Sequence, residues 1–134
     1  AAQVTIEALK SAGAVGPKNR PVLTHCQVLN QQVVDDMAQH NVIANVQPLF
    51  VNTDSFWVDK RLPPRLQQFA YIWKSLYDRD IVVSGGSDAP IEDPSPFLGL
   101  HSAIFRPGPE GKAWKPEECL IYKEAVKIYT SNAA

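Results

Sequence analysis

Three short apolar runs, Val22-Leu23-Thr24, Val42 to Val46 and Ile81-Val82-Val83, recur between amphipathic stretches. Each fits a buried β-strand, and the stretches between them carry the three- and four-residue spacing of helices. Ala2 to Ala12 places Val4, Ile6, Ala8 and Leu9 at helical spacing with Glu7 and Lys10 outside, and Gly13 and Gly16 end it. Asn30 is a good N-cap for a helix whose buried stripe is Val33, Val34 and Met37 and which ends near Asn41. Leu66, Phe69, Ala70, Trp73, Leu76 and Tyr77 predict the strongest helix of the chain, opened by Pro64, with its aromatics in the core. Ser95-Pro96 opens another helix, through about Phe105, and a last one is predicted over 116–130, interrupted near Leu120. Phe50 to Pro64 shows no period and reads as a long structured loop whose aromatics favour a lid.

Strands alternating with helices imply an α/β fold with parallel strands joined by helical crossovers. Three strands are few for so many helices, and the chain opens on Ala and enters a helix at once. Both features lead to the expectation of a piece of a longer protein.

Composition narrows the function classes. A length of 134 residues suits one domain, and 45% hydrophobic with 20% charged residues is a globular balance. A net charge of -1 gives no basic footprint for nucleic acid or an anionic membrane surface. No apolar run approaches the roughly 20 residues of a membrane-spanning helix. Cys26 and Cys119 match no zinc or redox spacing, which leads to the expectation of a reducing, cytoplasmic setting.

Candidate chemistry gathers where the strands end. The third apolar run leads into Ser84-Gly85-Gly86-Ser87-Asp88-Ala89-Pro90, in which glycines permit a tight turn and close approach, and a carboxylate follows. His25 and Gln47 stand just past the first two strands. In parallel α/β folds ligands collect at the C-terminal strand ends, so these three residues should share a mouth. A histidine and an aspartate so placed suit a divalent metal or acid–base chemistry on water. The plainer alternatives are that Asp88 shapes a turn and that His25 is a hydrogen-bonded structural residue. His40 fits a helix C-terminus, His101 a structural position, and Cys26 a packing role.

Thr24-His25-Cys26-Gln27, Val42 to Pro48, Trp57 to Leu62, Tyr71 to Leu76, Gly86 to Glu92 and the closing Glu124 to Ala134 occur in an order that resembles the amidohydrolase superfamily. Within it the chain is most similar to the N-substituted formamide deformylase branch, some of whose members are described as exoenzyme regulatory proteins. The resemblance implies part of a (β/α)8 TIM barrel, strands six to eight with their helices, over residues 1–134. It implies a metal-dependent hydrolase acting on a small amide-type substrate at a C–N bond. His25 would close the sixth strand and Asp88 the eighth, both as metal ligands and catalytic residues, with zinc the expected metal. Gln47 and Trp57 would contact substrate. The family's His-x-His pair, its strand-four Lys or Glu and its strand-five His are absent here, and Thr24 stands where relatives often carry an acid. Two ligands do not hold a catalytic metal, which normally has three, so the chain alone is expected to be inactive, to bind zinc weakly and to self-associate. The alternatives are a regulatory or binding protein that keeps the barrel without hydrolysis, and a self-standing small α/β binding domain.

Overall fold

The computed structural model describes residues 1–134. A parallel three-stranded sheet carries the fold: β1 (Val22–Thr24), β2 (Ile43–Val46) and β3 (Val83–Gly85), in the order of the chain. Before β1 comes α1 (Ala2–Ser11), and α2 (Gln31–His40) links β1 to β2. A 3-10 turn (Pro48–Phe50) and four short helices link β2 to β3: α3 (Val51–Asp54), α4 (Val58–Arg61), α5 (Pro64–Gln67) and α6 (Trp73–Tyr77). After β3 come α7 (Pro96–Phe105), 3-10 turns at Pro109–Gly111 and Pro116–Glu118, and α8 (Tyr122–Ile128). The parallel pairing in chain order is the one the strand–helix alternation predicts.

Register sorts the strand residues onto two faces. Leu23, Ala44 and Val83 lie side by side, as do Thr24, Asn45 and Ser84 one residue further on. Side chains alternate across a strand, so these two rows face opposite ways. Ala44, Val46 and Val83 share one buried cluster with Val33, Val34 and Met37 of α2, Trp73 and Leu76 of α6, and Ala125 and Ile128 of α8. The other face is open along its outer strands, where Val22 is 53% exposed and Val82 is 42% exposed, while Ile43 and Ser84 on it are buried.

The caps of α2 explain its limits. Asn30 Oδ1 accepts from the Val33 N–H at 2.9 Å, and Asn41 adopts the left-handed conformation that ends the helix. α1 is tied to α2 by the Lys10–Asp36 ion pair at 3.2 Å, yet it buries only Ile6 and leaves Val4 68% exposed.

The strong helix expected from Pro64 to Tyr77 is two helices, α5 and α6. Tyr71 turns left-handed (φ 56) between them. There the backbone exchanges helical bonds for pairing with the chain after β1. The Leu29 N–H donates to Phe69 O at 3.1 Å and the Tyr71 N–H to Gln27 O at 2.8 Å. The Lys115 ammonium then donates to the Ala70 carbonyl at the break and to the Gln67 carbonyl, which also accepts the Ala70 N–H. The aromatics are nonetheless core, as their spacing predicts: Tyr71 and Trp73 are buried. Similarly, the unperiodic 50–64 stretch holds one-turn helices, and the last predicted helix shrinks to Tyr122–Ile128.

α8 is held on β3 by the residues that follow it. The Tyr129 ring lies against Gly85, 3.0 Å from where a Cβ would stand, and its hydroxyl fills the place of a Cβ on Gly99. Asn132 Nδ2 donates to Val83 O at 3.0 Å. Arg106, fully buried, is stacked between Trp73 and Trp114, its guanidinium carbon 4.6 and 5.3 Å from the ring centroids. Burial lowers its pKa to about 10, which leaves it charged at neutral pH.

Candidate functional site

β1 runs out of the sheet at His25, whose N–H still donates to Asn45 O at 2.7 Å. His25 and Cys26 then both turn left-handed, at φ 74 and 48. Asp88, three residues beyond β3, is left-handed as well, at φ 58. Such backbone costs about 1–3 kcal/mol per non-glycine residue and tends to collect at functional sites. Because the strands are parallel, His25, Gln47 and Asp88 all follow the same, C-terminal end of the sheet.

Side-chain contacts join some of these residues and not others. His25 Nδ1 lies 2.9 Å from Gln47 Oε1, and the ring stacks on Phe50 at 6.2 Å and 24°. Gln47 Nε2 donates to Asn45 Oδ1 at 3.1 Å, and Asn45 Nδ2 donates to Ser84 Oγ at 3.1 Å. A polar chain thus crosses all three strands. Gln47 is buried, with both ends of its amide engaged, whereas Asp88 is exposed and its carboxylate makes no hydrogen bond or ion pair with the protein. Trp57 stands apart in the loop after β2, 45% exposed beside Phe56, with the Arg61 guanidinium 5.8 Å over its ring.

The loops around this mouth are tied to one another. Thr53 Oγ1 donates to Glu92 Oε1 at 3.1 Å, joining the loop after β2 to that after β3. Ser102 Oγ donates to Asn52 Oδ1 at 2.9 Å. Asp54 accepts from the buried Tyr71 hydroxyl and from Gln27 Nε2. Trp114 Nε1 donates to Asp59 Oδ2 at 2.7 Å, holding the short helix next to Trp57.

Cys26 is buried beside His25, and burial pushes its thiol up to about 12. A thiol held protonated is a poor nucleophile, which agrees with its packing role. His40 ends α2, 3.9 Å from Asp36, and His101 lies exposed against Phe105.

Sequence reasoning did not single out Asn45, Ser84 or Glu92. The first two had a signal: Asn45 interrupts an otherwise apolar strand, and Ser84 directly follows Val83 on the adjoining one. Glu92 belongs to the site only through a contact 39 residues away, which local sequence does not disclose.

The donor chemistry fits a divalent metal in part. One imidazole nitrogen without a protein partner and one free carboxylate are metal donors on the same end of the sheet. No group of three or more histidine, cysteine, aspartate or glutamate side chains is assembled within the chain.

Comparison with known proteins places the chain in a family. A family model described as "Amidohydrolase family" matches residues 1–134. The putative amidohydrolase YtcJ of Bacillus subtilis is 38% identical over 123 residues, covering 88% of this chain and 23% of that protein. Protein LONG AFTER FAR-RED 3 of Arabidopsis thaliana is 29% identical over 126 residues, 92% of this chain and 22% of that protein. The chain therefore spans less than a quarter of the length of these relatives. Among solved structures, an uncharacterized metal-dependent hydrolase from Pyrococcus furiosus superposes with TM-score 0.82 at 21% identity, over 99% of this chain and 26% of that one. One from Pyrococcus horikoshii gives 0.84 at 22% identity, over 98% and 26%.

Proposed function

The chain belongs to the amidohydrolase family, and from that premise we propose that it supplies strands six to eight of a (β/α)8 barrel in a metal-dependent hydrolase of amide-type C–N bonds. The observation that carries the proposal is the placement of His25 and Asp88 beyond the same ends of the two parallel strands that flank β2, in a chain that matches the family throughout. Both residues are left without a protein partner on the atoms that would do chemistry.

His25 and Asp88 would hold a divalent metal, zinc by expectation, with the remaining ligands coming from parts of the full-length protein outside this chain. Such an ion supplies a Lewis acid that makes hydroxide available near neutral pH and polarises the scissile carbonyl. Asp88, exposed and unpaired, takes a proton from the attacking water and returns it to the leaving amine. His25, fixed by Gln47 and Phe50, acts as ligand or polarises the substrate carbonyl. Trp57 and Phe56 offer an apolar surface to an N-substituent, and the Thr53–Glu92 bond holds the loops on either side.

The test is amine release from a panel of N-substituted formamides and simple amides by the full-length protein, with and without chelator. The proposal expects chelator-sensitive hydrolysis that Asp88→Asn reduces by about 10²-fold or more. Failure on every amide with every divalent metal tried, or an Asp88→Asn variant as active as the parent, would overturn it.

A further inference from the structure

The polar chain through His25, Gln47, Asn45 and Ser84 has a direction, and the direction determines which histidine nitrogen is available. An amide oxygen only accepts and an amide nitrogen only donates. Gln47 gives its nitrogen to Asn45 Oδ1, so its oxygen is the atom facing His25 Nδ1 at 2.9 Å. Asn45 in turn gives its nitrogen to Ser84 Oγ at 3.1 Å, so its own oxygen is the one left for Gln47. Every member then has one sense: Ser84 accepts, both amides pass the bond along, and His25 Nδ1 must donate.

From this we infer that Gln47 and Asn45 are positioning residues that hold His25 as the Nδ1–H tautomer and leave the Nε2 lone pair free. Free neutral histidine prefers the opposite tautomer, so the bias comes from the chain. The site is built to keep it. Gln47 is 4% exposed and Ser84 is 7% exposed, which protects both bonds from exchange with water. Phe50 stacks on the imidazole and opposes rotation about χ2, which would put Cδ2 in place of Nδ1 against Gln47. Reversal demands that both amides turn together and that Ser84 become the donor. The state of the Ser84 hydroxyl on β3 is therefore coupled to the tautomer of His25, just past β1. The use given to the free nitrogen, as metal ligand or electrophile, rests on the hydrolase reading; the tautomer itself does not. An acceptor on the far nitrogen of a metal-binding histidine orients the ring and raises its basicity, and losing it commonly weakens metal binding by about 10- to 100-fold.

The experiment is 15N NMR of the histidine-labelled full-length protein, stripped of metal, at a pH where the spectra themselves show the imidazole neutral. A His25→Gln variant assigns the signals. The expected parent spectrum has a protonated Nδ1 and a bare Nε2. Gln47→Leu should return His25 to mostly Nε2–H. Asn45→Leu, which frees Gln47 to turn, should give a mixture. Asn45→Asp still accepts from Gln47 and should keep Nδ1–H, and it remains informative if either leucine variant misfolds. A parent protein with Nε2–H, or Nδ1–H persisting in Gln47→Leu, overturns the inference. Adding zinc to the same samples separates the two claims: an Nε2 signal that zinc leaves unmoved defeats the metal-ligand assignment while the tautomer result stands.

Discussion

The two faces of the sheet share a backbone and differ in nearly everything else. On one, Ala44, Val46 and Val83 are fully buried under helices, and the neighbouring contacts are apolar. On the other, Thr24, Asn45 and Ser84 form a polar row beside the exposed Val22 and Val82. Alternation along a strand assigns one residue to stability and the next to chemistry. Substitutions one position apart should then have unrelated consequences.

The sharpest way to break that contrast is the pair Val82 and Val83. Val83→Asp places an unpaired carboxylate at a position with no solvent exposure, where the penalty is several kcal/mol against a total stability of about 5–15 kcal/mol. No cooperative unfolding transition should remain. Val82→Asp, on the open face, should shift stability by no more than about 0.5 kcal/mol. Equal effects in a thermal melt would erase the distinction between the faces.

Next in size is the seat of Tyr129. Gly99→Ala sets a methyl group where the hydroxyl lies, and such overpacking costs about 1–3 kcal/mol. Tyr129→Phe in the same background should recover part of the loss in urea unfolding, because it removes the overlapping oxygen.

High pH attacks the covered side more gently. Burial raises Cys26 from 9.0 to about 12 and Tyr129 from 10.0 to about 12, so folding favours the protonated form of each. Their contribution is whole below pH 9 and is lost as pH climbs toward 12. Melting temperature should fall across that window, and Cys26→Ala should make the fall shallower.

The smallest effect belongs to the open face. β1 and β3 each pair only with β2, so both sheet edges are bare beside the exposed valines. The isolated chain should self-associate in light scattering, and Val22→Asp with Val82→Asp should reduce the association without lowering the melting temperature.

How much of this was legible in the sequence follows from the range of each determinant. The first two strands and α2 were readable because their signals are local: β-branched runs, an Asn30 cap, a stripe of Val33, Val34 and Met37. The third strand, expected at Ile81-Val82-Val83, pairs over Val83–Gly85, because its ladder with β2 runs on into the polar Ser84 and into Gly85. The break between α5 and α6 was not readable. Its apolar spacing is that of a helix, and only pairing with residues 27–29 turns Tyr71 left-handed. The strand-end positions of His25, Gln47 and Asp88 were likewise visible, whereas the use of Gln47 was not. As an exposed residue it would face substrate, but contacts from the neighbouring strand enclose it and aim its amide at His25. Glu92 enters the site through a long-range contact that no local pattern encodes.

The central claim, that His25 and Asp88 belong to one metal centre, is tested most directly by the metal content of the full-length protein and of its His25→Ala and Asp88→Ala variants. Each should be purified identically and checked for retained fold by circular dichroism. The account predicts at least one divalent ion per chain in the parent and a clear loss in both folded variants. Parental metal content in both variants would contradict it.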